Sequence, residues 1–211
     1  MKIEIIDCGI KDYDSVLKLQ QQTLDAIQNG SDEEKIFIVE HFPVITLGAR
    51  TSSNRLLKDD LTIKRAGIEI VQIRRGGGTT AHNPGQIVIY PIINLKKHNL
   101  GVSDYVHLLE KTAIEFLAAL GVKSQTKKGF PGLWVEERKI ASVGVQIKKW
   151  ITFHGIAINI CNDLGIFDFI VPCGLDNVKM TSAEKELDKK INIEDSKIIL
   201  SKILMKYFNG S

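Results

Sequence analysis

Cysteine is scarce in this chain of 211 residues: only Cys8, Cys161 and Cys173 occur. The number is odd and no Cys-x-x-Cys pair is present, so neither a disulfide framework nor a thiolate zinc site is expected. Long apolar runs are missing as well. No stretch reaches the roughly 18 residues that a bilayer span needs. The opening MKIEIIDCGI carries early acids and too short an apolar run for a secretory signal. A reducing cytoplasm is the simplest setting these absences allow. Charge of one sign is not in excess, because 28 Lys and Arg against 25 Asp and Glu leave +3. That lacks the clustered surplus of a nucleic-acid binder and leaves room for an acidic protein partner. No His-x-x-x-His pair or carboxylate cluster suggests a metal.

What is present reads as one α+β domain over residues 1–211, a mixed and largely antiparallel sheet flanked by helices. Residues 2–8 alternate as a strand. Asp12 caps a helix over Tyr13–Ile27, which Asn29-Gly30 stops. Two short strands, Ile36–Glu40 and Val44–Leu47, hinge at Pro43. A short helix is expected over Leu56–Arg65 and a strand over Ile68–Ile73. A glycine-rich loop runs from Arg74 to Gln86, and an apolar strand follows over Ile87–Leu95. Ser103 is the expected cap of a helix reaching Leu120 and ended by Gly121. Period-two patterning then marks strands at Leu133–Val135, Ile140–Ile147 and Trp150–Ile160. A loop around Pro172 and an amphipathic helix over about 193–208 finish the chain.

Three segments carry chemistry. In Ile170-Val171-Pro172-Cys173-Gly174-Leu175, proline fixes the backbone before the thiol and glycine frees it after, so Cys173 is presented rather than packed. Cys8 and Cys161 lie at strand ends and read as small fillers. A thiol is mostly protonated at neutral pH, so a nucleophilic cysteine needs a base or a nearby cation. Lys139 opens the apolar strand of Arg138-Lys139-Ile140-Ala141-Ser142-Val143-Gly144, where an ammonium is out of place unless partnered. Desolvation there suits it to proton transfer, although a strand-edge lysine is also a common guard against aggregation. The third segment is Arg75-Gly76-Gly77-Gly78-Thr79-Thr80-Ala81-His82-Asn83-Pro84-Gly85-Gln86. Its successive N–H groups can cup a phosphate or an oxyanion. A strand follows it, and neither nucleotide-loop spacing fits. Of five histidines, His82 and His154 adjoin turns, His41 precedes the Pro43 hinge, and His98 and His107 read as solvent-facing. His82 suits a hydrogen bond at a ligand or a structural one equally.

Taken together, these blocks resemble the lipoyl(octanoyl) transferases of the biotin/lipoate protein ligase fold group. Glu40-His41-Phe42-Pro43-Val44-Ile45-Thr46-Leu47-Gly48 resembles EHPPVYTLG. Arg75 through Tyr90 resembles RGG-x-x-T-Y-H-G-P-G-Q-L-V-x-Y. Pro131–Val135 followed by Lys139–Gly144 resembles PGVWV…KIAAIG. His154–Asn159 resembles HGLALNV, and Ile170–Gly174 matches IVPCG. The resemblance covers roughly residues 35–185 in the right order. It implies transfer of an octanoyl chain, without ATP or other cofactor. The implied donor is octanoyl-acyl carrier protein. The implied acceptors are lipoyl domains of 2-oxoacid dehydrogenase E2 subunits and the glycine-cleavage H protein. It further implies an acyl thioester on Cys173 with Lys139 as its partner. Acyl contacts would come from Arg75, Gly76, Gly77, Gly78, Thr79, Thr80, Ala81 and His82, from Ala141, Ser142, Val143 and Gly144, and from His154, Gly155 and Ile156. Both protein partners are generally acidic in the family, which would suit docking on Arg50, Arg55, Lys127, Lys128, Lys148 or Lys149.

Three positions depart from the pattern. Gly78 stands for a larger polar residue, Ala81 for an aromatic and Asn83 for glycine, and all three are expected to border the acyl pocket. The triple glycine resembles the lipoate ligases more than the transferases. An ATP-dependent ligase shares the fold, but the biotin-ligase GRGRxGRxW signature is absent, and a nucleophilic cysteine would be superfluous to it. An amidotransferase working between lipoyl proteins through the same cysteine is a second alternative, and a silent binding module a third.

Overall fold

The computed structural model describes residues 3–210, so residue 2 of the expected first strand lies outside the described residues. The strands are β1 (Glu4–Lys11), β2 (Lys35–His41), β3 (Val44–Leu47), β4 (Glu69–Gln72), β5 (Thr80–His82), β6 (Gln86–Ile92), β7 (Gln125–Lys127), β8 (Phe130–Val135), β9 (Arg138–Lys148), β10 (Ile151–Asn159) and β11 (Lys179–Met180). The helices are α1 (Tyr13–Gln28), α2 (Asp60–Arg65), α3 (Val102–Leu120), α4 (Ala183–Leu187) and α5 (Ile193–Phe208).

The main sheet runs β1-β2-β6-β10-β9-β8-β7. Most neighbours are antiparallel, but β1 joins β2 in parallel, and β11 joins β9 in parallel beyond the last β10 pair. The central strands are apolar without interruption because both faces are covered. Ile36 and Ile38 of β2, Ile87 and Ile89 of β6, and Ile156 and Ile158 of β10 enter a core with Phe116 of α3 and Leu200 of α5. Their alternating neighbours Phe37, Val39, Val88, Tyr90 and Ala157 pack with Val16 and Leu24 of α1 on the other face. A second sheet, β4-β3-β5, is closed by α2 and a 3-10 turn at Leu164–Phe169.

Several expectations change. Only Asp60–Arg65 of the expected 56–65 helix is helical, because Asp59 caps it by accepting from the Thr62 N–H at 2.9 Å. Leu56 instead bridges to Ile170. Helix α3 is capped at Gly101, whose N–H donates to Asp104 Oδ2 at 3.0 Å, and Ser103 falls inside the first turn. The glycine-rich loop contains strand β5, which pairs with β3. His98 is not simply solvent-facing: its Nε2 meets the buried Glu34 carboxylate at 2.5 Å. No helix among the described residues is long and apolar enough to cross a membrane.

Candidate active site

The Pro172–Gly174 turn holds Cys173 at φ 57° and ψ 12°, a left-handed conformation that costs a non-glycine residue about 1–2 kcal/mol. The surroundings enforce it. The Cys173 N–H donates to Thr79 O at 2.8 Å, Gly174 N–H to Val171 O at 3.1 Å and Leu175 N–H to Pro172 O at 3.0 Å. A side chain on Gly174, itself at φ 69°, would meet Ser53 Cβ at 2.6 Å. The thiol is therefore fixed in direction. Burial pushes the thiols of Cys8 and Cys161 up from the ordinary value, which favours their protonated form.

Lys139 is 1% exposed, and its Nζ reaches Cys173 Sγ at 3.5 Å and donates to Pro131 O at 2.9 Å. The Trp134 ring lies below it, 5.2 Å from Nζ to the centroid. Among the described residues no carboxylate comes within ion-pair distance. Register explains the placement. The β8–β9 ladder slips by one residue between Leu133 and Trp134, a bulge of the kind that re-aims side chains. Gly132, at φ 113°, leaves room: a Cβ there would lie 2.2 Å from Ala141 O and 3.1 Å from Lys139 Cε. The Gly132 N–H is taken by the buried Glu110 carboxylate of α3 at 3.0 Å.

Arg75 organises the glycine loop. Its guanidinium donates to Gly78 O at 2.7 Å, Gly76 O at 3.1 Å and Thr46 O at 2.9 Å. The side chain threads between Gly48 and Gly144, where an added Cβ would come within 3.0 Å of Nη1 and 2.8 Å of Cδ respectively. Burial lowers its pKa from the usual arginine value. With the loop carbonyls drawn toward Arg75 and the Cys173 turn N–H groups spent, the N–H groups of Gly77 and Gly78 are left without a protein acceptor among the described residues. Gly77 lies with Cys173 in the cavity wall.

The cavity behind Cys173 has a volume of about 430 Å³ with its solvent-open mouth included. Of the residues expected to contact an acyl group, Arg75, Gly77, Thr80, His82, Ser142, Val143, Gly144, His154, Gly155 and Ile156 line it. Gly76 faces a second, open cavity that also reaches Lys139 and Cys173. Gly78, Thr79, Ala81 and Ala141 do not line the cavity, and strand alternation accounts for two of them. Thr80 and His82 point inward from β5, so Ala81 faces Ile45 and Phe167. Ala141 faces the main core. Gly78 lies against Ser53, and Thr79 acts through its carbonyl on Cys173. Asn83 bonds Asp163 O and the Asn162 side chain rather than bordering the pocket.

Sequence reading passed over Tyr13, Val88, Tyr90 and Ala157, which also line the cavity. Period two along β6 was the available signal, since 86, 88 and 90 share one face. His41 supports that wall: Lys11 O accepts from its Nδ1–H at 3.2 Å, leaving Nε2 to accept the Tyr90 hydroxyl at 2.9 Å. Burial depresses His41 to about 4 and His154 to about 3. Burial, with His41 and Arg75 nearby, holds His82 well below the ordinary histidine range. All three are held toward the neutral form near pH 7.

Residues 12–204 match the lipoyl protein ligase A/B catalytic domain. An octanoyltransferase of Maridesulfovibrio salexigens is 36% identical over 209 residues, covering 99% of this chain and 98% of its own. The chain belongs to the octanoyltransferase family. It is thus an acyltransferase. The family's member from Desulfovibrio desulfuricans is 39% identical over 180 residues, covering 85% and 76% of the two chains. Solved structures agree on the fold of this octanoyltransferase relative. A lipoate-protein ligase A bound with ATP superposes with TM-score 0.78 at 14% identity, over 99% of this chain and 86% of that one. The Aquifex aeolicus biotin protein ligase gives 0.53 at 11%, over 99% and 70%.

Proposed function

We propose that the chain moves an octanoyl group from octanoyl-acyl carrier protein to the target lysine of lipoyl domains, through a thioester on Cys173. The observation that carries this reading is the Lys139–Cys173 pair, 3.5 Å apart, where two adjoining cavities meet at Cys173. The cavity behind Cys173, walled in part by Val88, Val143, Ile156 and Ala157, suits the alkyl chain. The other, edged by Phe130, Pro131 and the exposed Arg50, suits the carrier's phosphopantetheine arm and then the acceptor lysine.

The steps balance without a cofactor. Lys139 holds the Cys173 proton as its ammonium, and the thiolate attacks the thioester carbonyl. The Gly77 N–H stabilises the oxyanion, a contribution of about 3 kcal/mol for one such donor. The carrier sulfur leaves and takes the proton from Lys139. The acceptor amine then attacks the Cys173 thioester and gives its extra proton to Lys139, which releases the amide and restores the ion pair. Lipoyl domains of E2 subunits and the glycine-cleavage H protein are the acceptors of this scheme. Of the basic docking candidates, Arg50 stands at the open cavity, whereas Arg55 is paired with Asp176 and Lys127 with Glu137.

Intact mass spectrometry after incubation with octanoyl-acyl carrier protein tests the scheme. The wild type gains one octanoyl group, and Cys173→Ser gains no turnover-competent thioester. Normal transfer by Cys173→Ala would show that the thioester route is wrong. Robust ATP–pyrophosphate exchange with octanoate would point to a ligase.

A further inference from the structure

The cavity behind Cys173 has two neighbours, and it meets them differently. It shares Gly77, Val143, Gly144 and Cys173 with the open cavity on the Lys139 side. It shares only His154 with a groove of about 1180 Å³ that runs between α1 and the β9–β10 hairpin. The floor of that groove is apolar, made by Leu17, Leu24, Ile73 and Phe153. His154 is thus the one lining residue that borders both the pocket and a large space with apolar walls.

The setting of this residue is unusual. His154 is 2% exposed, yet its Nδ1 is buried with no hydrogen-bond partner, and its side chain makes no hydrogen bond among the described residues. Leaving a buried polar atom unmet is unfavourable. The backbone is left-handed at φ 60°, and the His154 N–H is held by Gln20 Oε1 of α1 at 3.0 Å. Only packing holds the ring: edge-on to Phe153 at 4.5 Å between centroids and to Tyr90 at 6.3 Å. A residue kept in a disfavoured conformation, with no side-chain hydrogen bond to reward it, is placed for its shape.

We infer that His154 sets the upper limit of acyl chain length by closing the far end of the pocket against the α1 groove. This rests on the cavity being the acyl pocket of the reaction proposed above. Removing the ring joins the two spaces and lets methylenes beyond the octanoyl length run onto the apolar groove floor, where each gains burial.

The test is acyl-adduct formation on the full chain with octanoyl, decanoyl, dodecanoyl and tetradecanoyl thioesters of pantetheine, read by intact mass against time. His154→Gly is the opening variant, since glycine accepts the left-handed backbone without strain. The dodecanoyl-to-octanoyl rate ratio rises by roughly tenfold or more. Adding Leu17→Trp, which fills the groove, returns the ratio to the wild-type value. An unchanged ratio in folded His154→Gly, or in His154→Asn if the glycine variant does not fold, overturns the inference. So does failure of Leu17→Trp to reverse it. Absence of any adduct on the wild type is distinguishable, because it defeats the thioester route and this inference together.

Discussion

Lys139 Nζ stands 3.5 Å from Cys173 Sγ, and neither residue reached that position by ordinary strand or turn geometry. A bulge aims the lysine, and a left-handed residue aims the thiol. The expected consequence is that charge, not volume, is what the site loses in Lys139→Met. The methionine fills the same space, so the melting temperature stays within a few degrees. Octanoyl adduct formation on Cys173 slows by about 10²-fold or more, the usual scale of a lost proton-transfer partner. Quenched intact-mass time courses beside thermal melts separate the two effects. A Lys139→Met enzyme that acylates at the wild-type rate would remove lysine from the mechanism.

The slot around Arg75 predicts an effect at a distance. A methyl on Gly48 would sit 2.3 Å from Gly77 O and 3.0 Å from Arg75 Nη1. The Gly77 carbonyl must move, the Gly78 N–H in the same peptide plane moves with it, and the glycine loop beside Cys173 is displaced. Gly48→Ala is therefore expected to lower kcat for octanoyl transfer more than it raises KM, with a stability loss of about 1–3 kcal/mol. Steady-state kinetics with a urea melt check this. A loss in KM alone would show that the glycine loop orders substrate without serving the transition state.

Arg75 itself makes a sharper case. Its fork satisfies three carbonyls, those of Gly78 and Thr46 in buried bonds, and the Thr46 hydroxyl. Lysine cannot reproduce that geometry. Arg75→Lys is expected to cost roughly 3 kcal/mol of stability from unmet acceptors and to leave the loop disordered. Urea titration and hydrogen exchange of the 76–79 amides report the two effects.

The buried histidines give a pH signature. Their folded pKa values lie below the ordinary 6.5, at about 4 for His41 and about 3 for His154, with His82 well below as well. Below pH 6.5 the unfolded chain binds protons that the folded chain refuses, so stability falls as pH drops from about 6.5 toward 4. Each histidine contributes a slope of up to ~1.4 kcal/mol per pH unit. Urea midpoints at pH 7.5, 6.5 and 5.5 should decline, and His41→Gln should flatten the decline. Carboxylates held low by their partners, such as Glu186 beside Arg138, lose their stabilising effect only at lower pH. A flat profile between pH 7.5 and 5.5 would show the imidazoles to be solvated.

Much of this is legible in the sequence alone. The Pro-Cys-Gly turn, the misplaced Lys139 and the helices at Asp12 and 193–208 follow from local chemistry, which the sequence carries directly. Pairing is not legible. The bulge in β9, the strand inside the glycine loop and the parallel β1–β2 join depend on partners distant in the chain. The same gap misplaced Gly78, Ala81 and Asn83. Each borders the pocket in sequence, but β5 alternation and the contacts to Ser53 and Asp163 turn them away from it.

That turning away can be tested at Ala81, where the resemblance would place an aromatic. Ala81 is fully buried against Ile45, Ile166 and Phe167, on the side of β5 opposite Thr80 and His82. Ala81→Tyr therefore forces a ring into a packed cluster instead of narrowing the acyl pocket. The expected result is a loss of about 1–3 kcal/mol in stability from overpacking. The octanoyl-to-dodecanoyl preference stays that of the wild type at temperatures where the variant is folded. His154→Gly should do the reverse, moving the preference while leaving the β3–β5 sheet intact. Measuring chain-length profiles and urea midpoints for both variants side by side decides the matter. A profile that shifts in Ala81→Tyr would mean that β5 presents the opposite face to the acyl chain, and the pocket assignment would have to be redrawn around it.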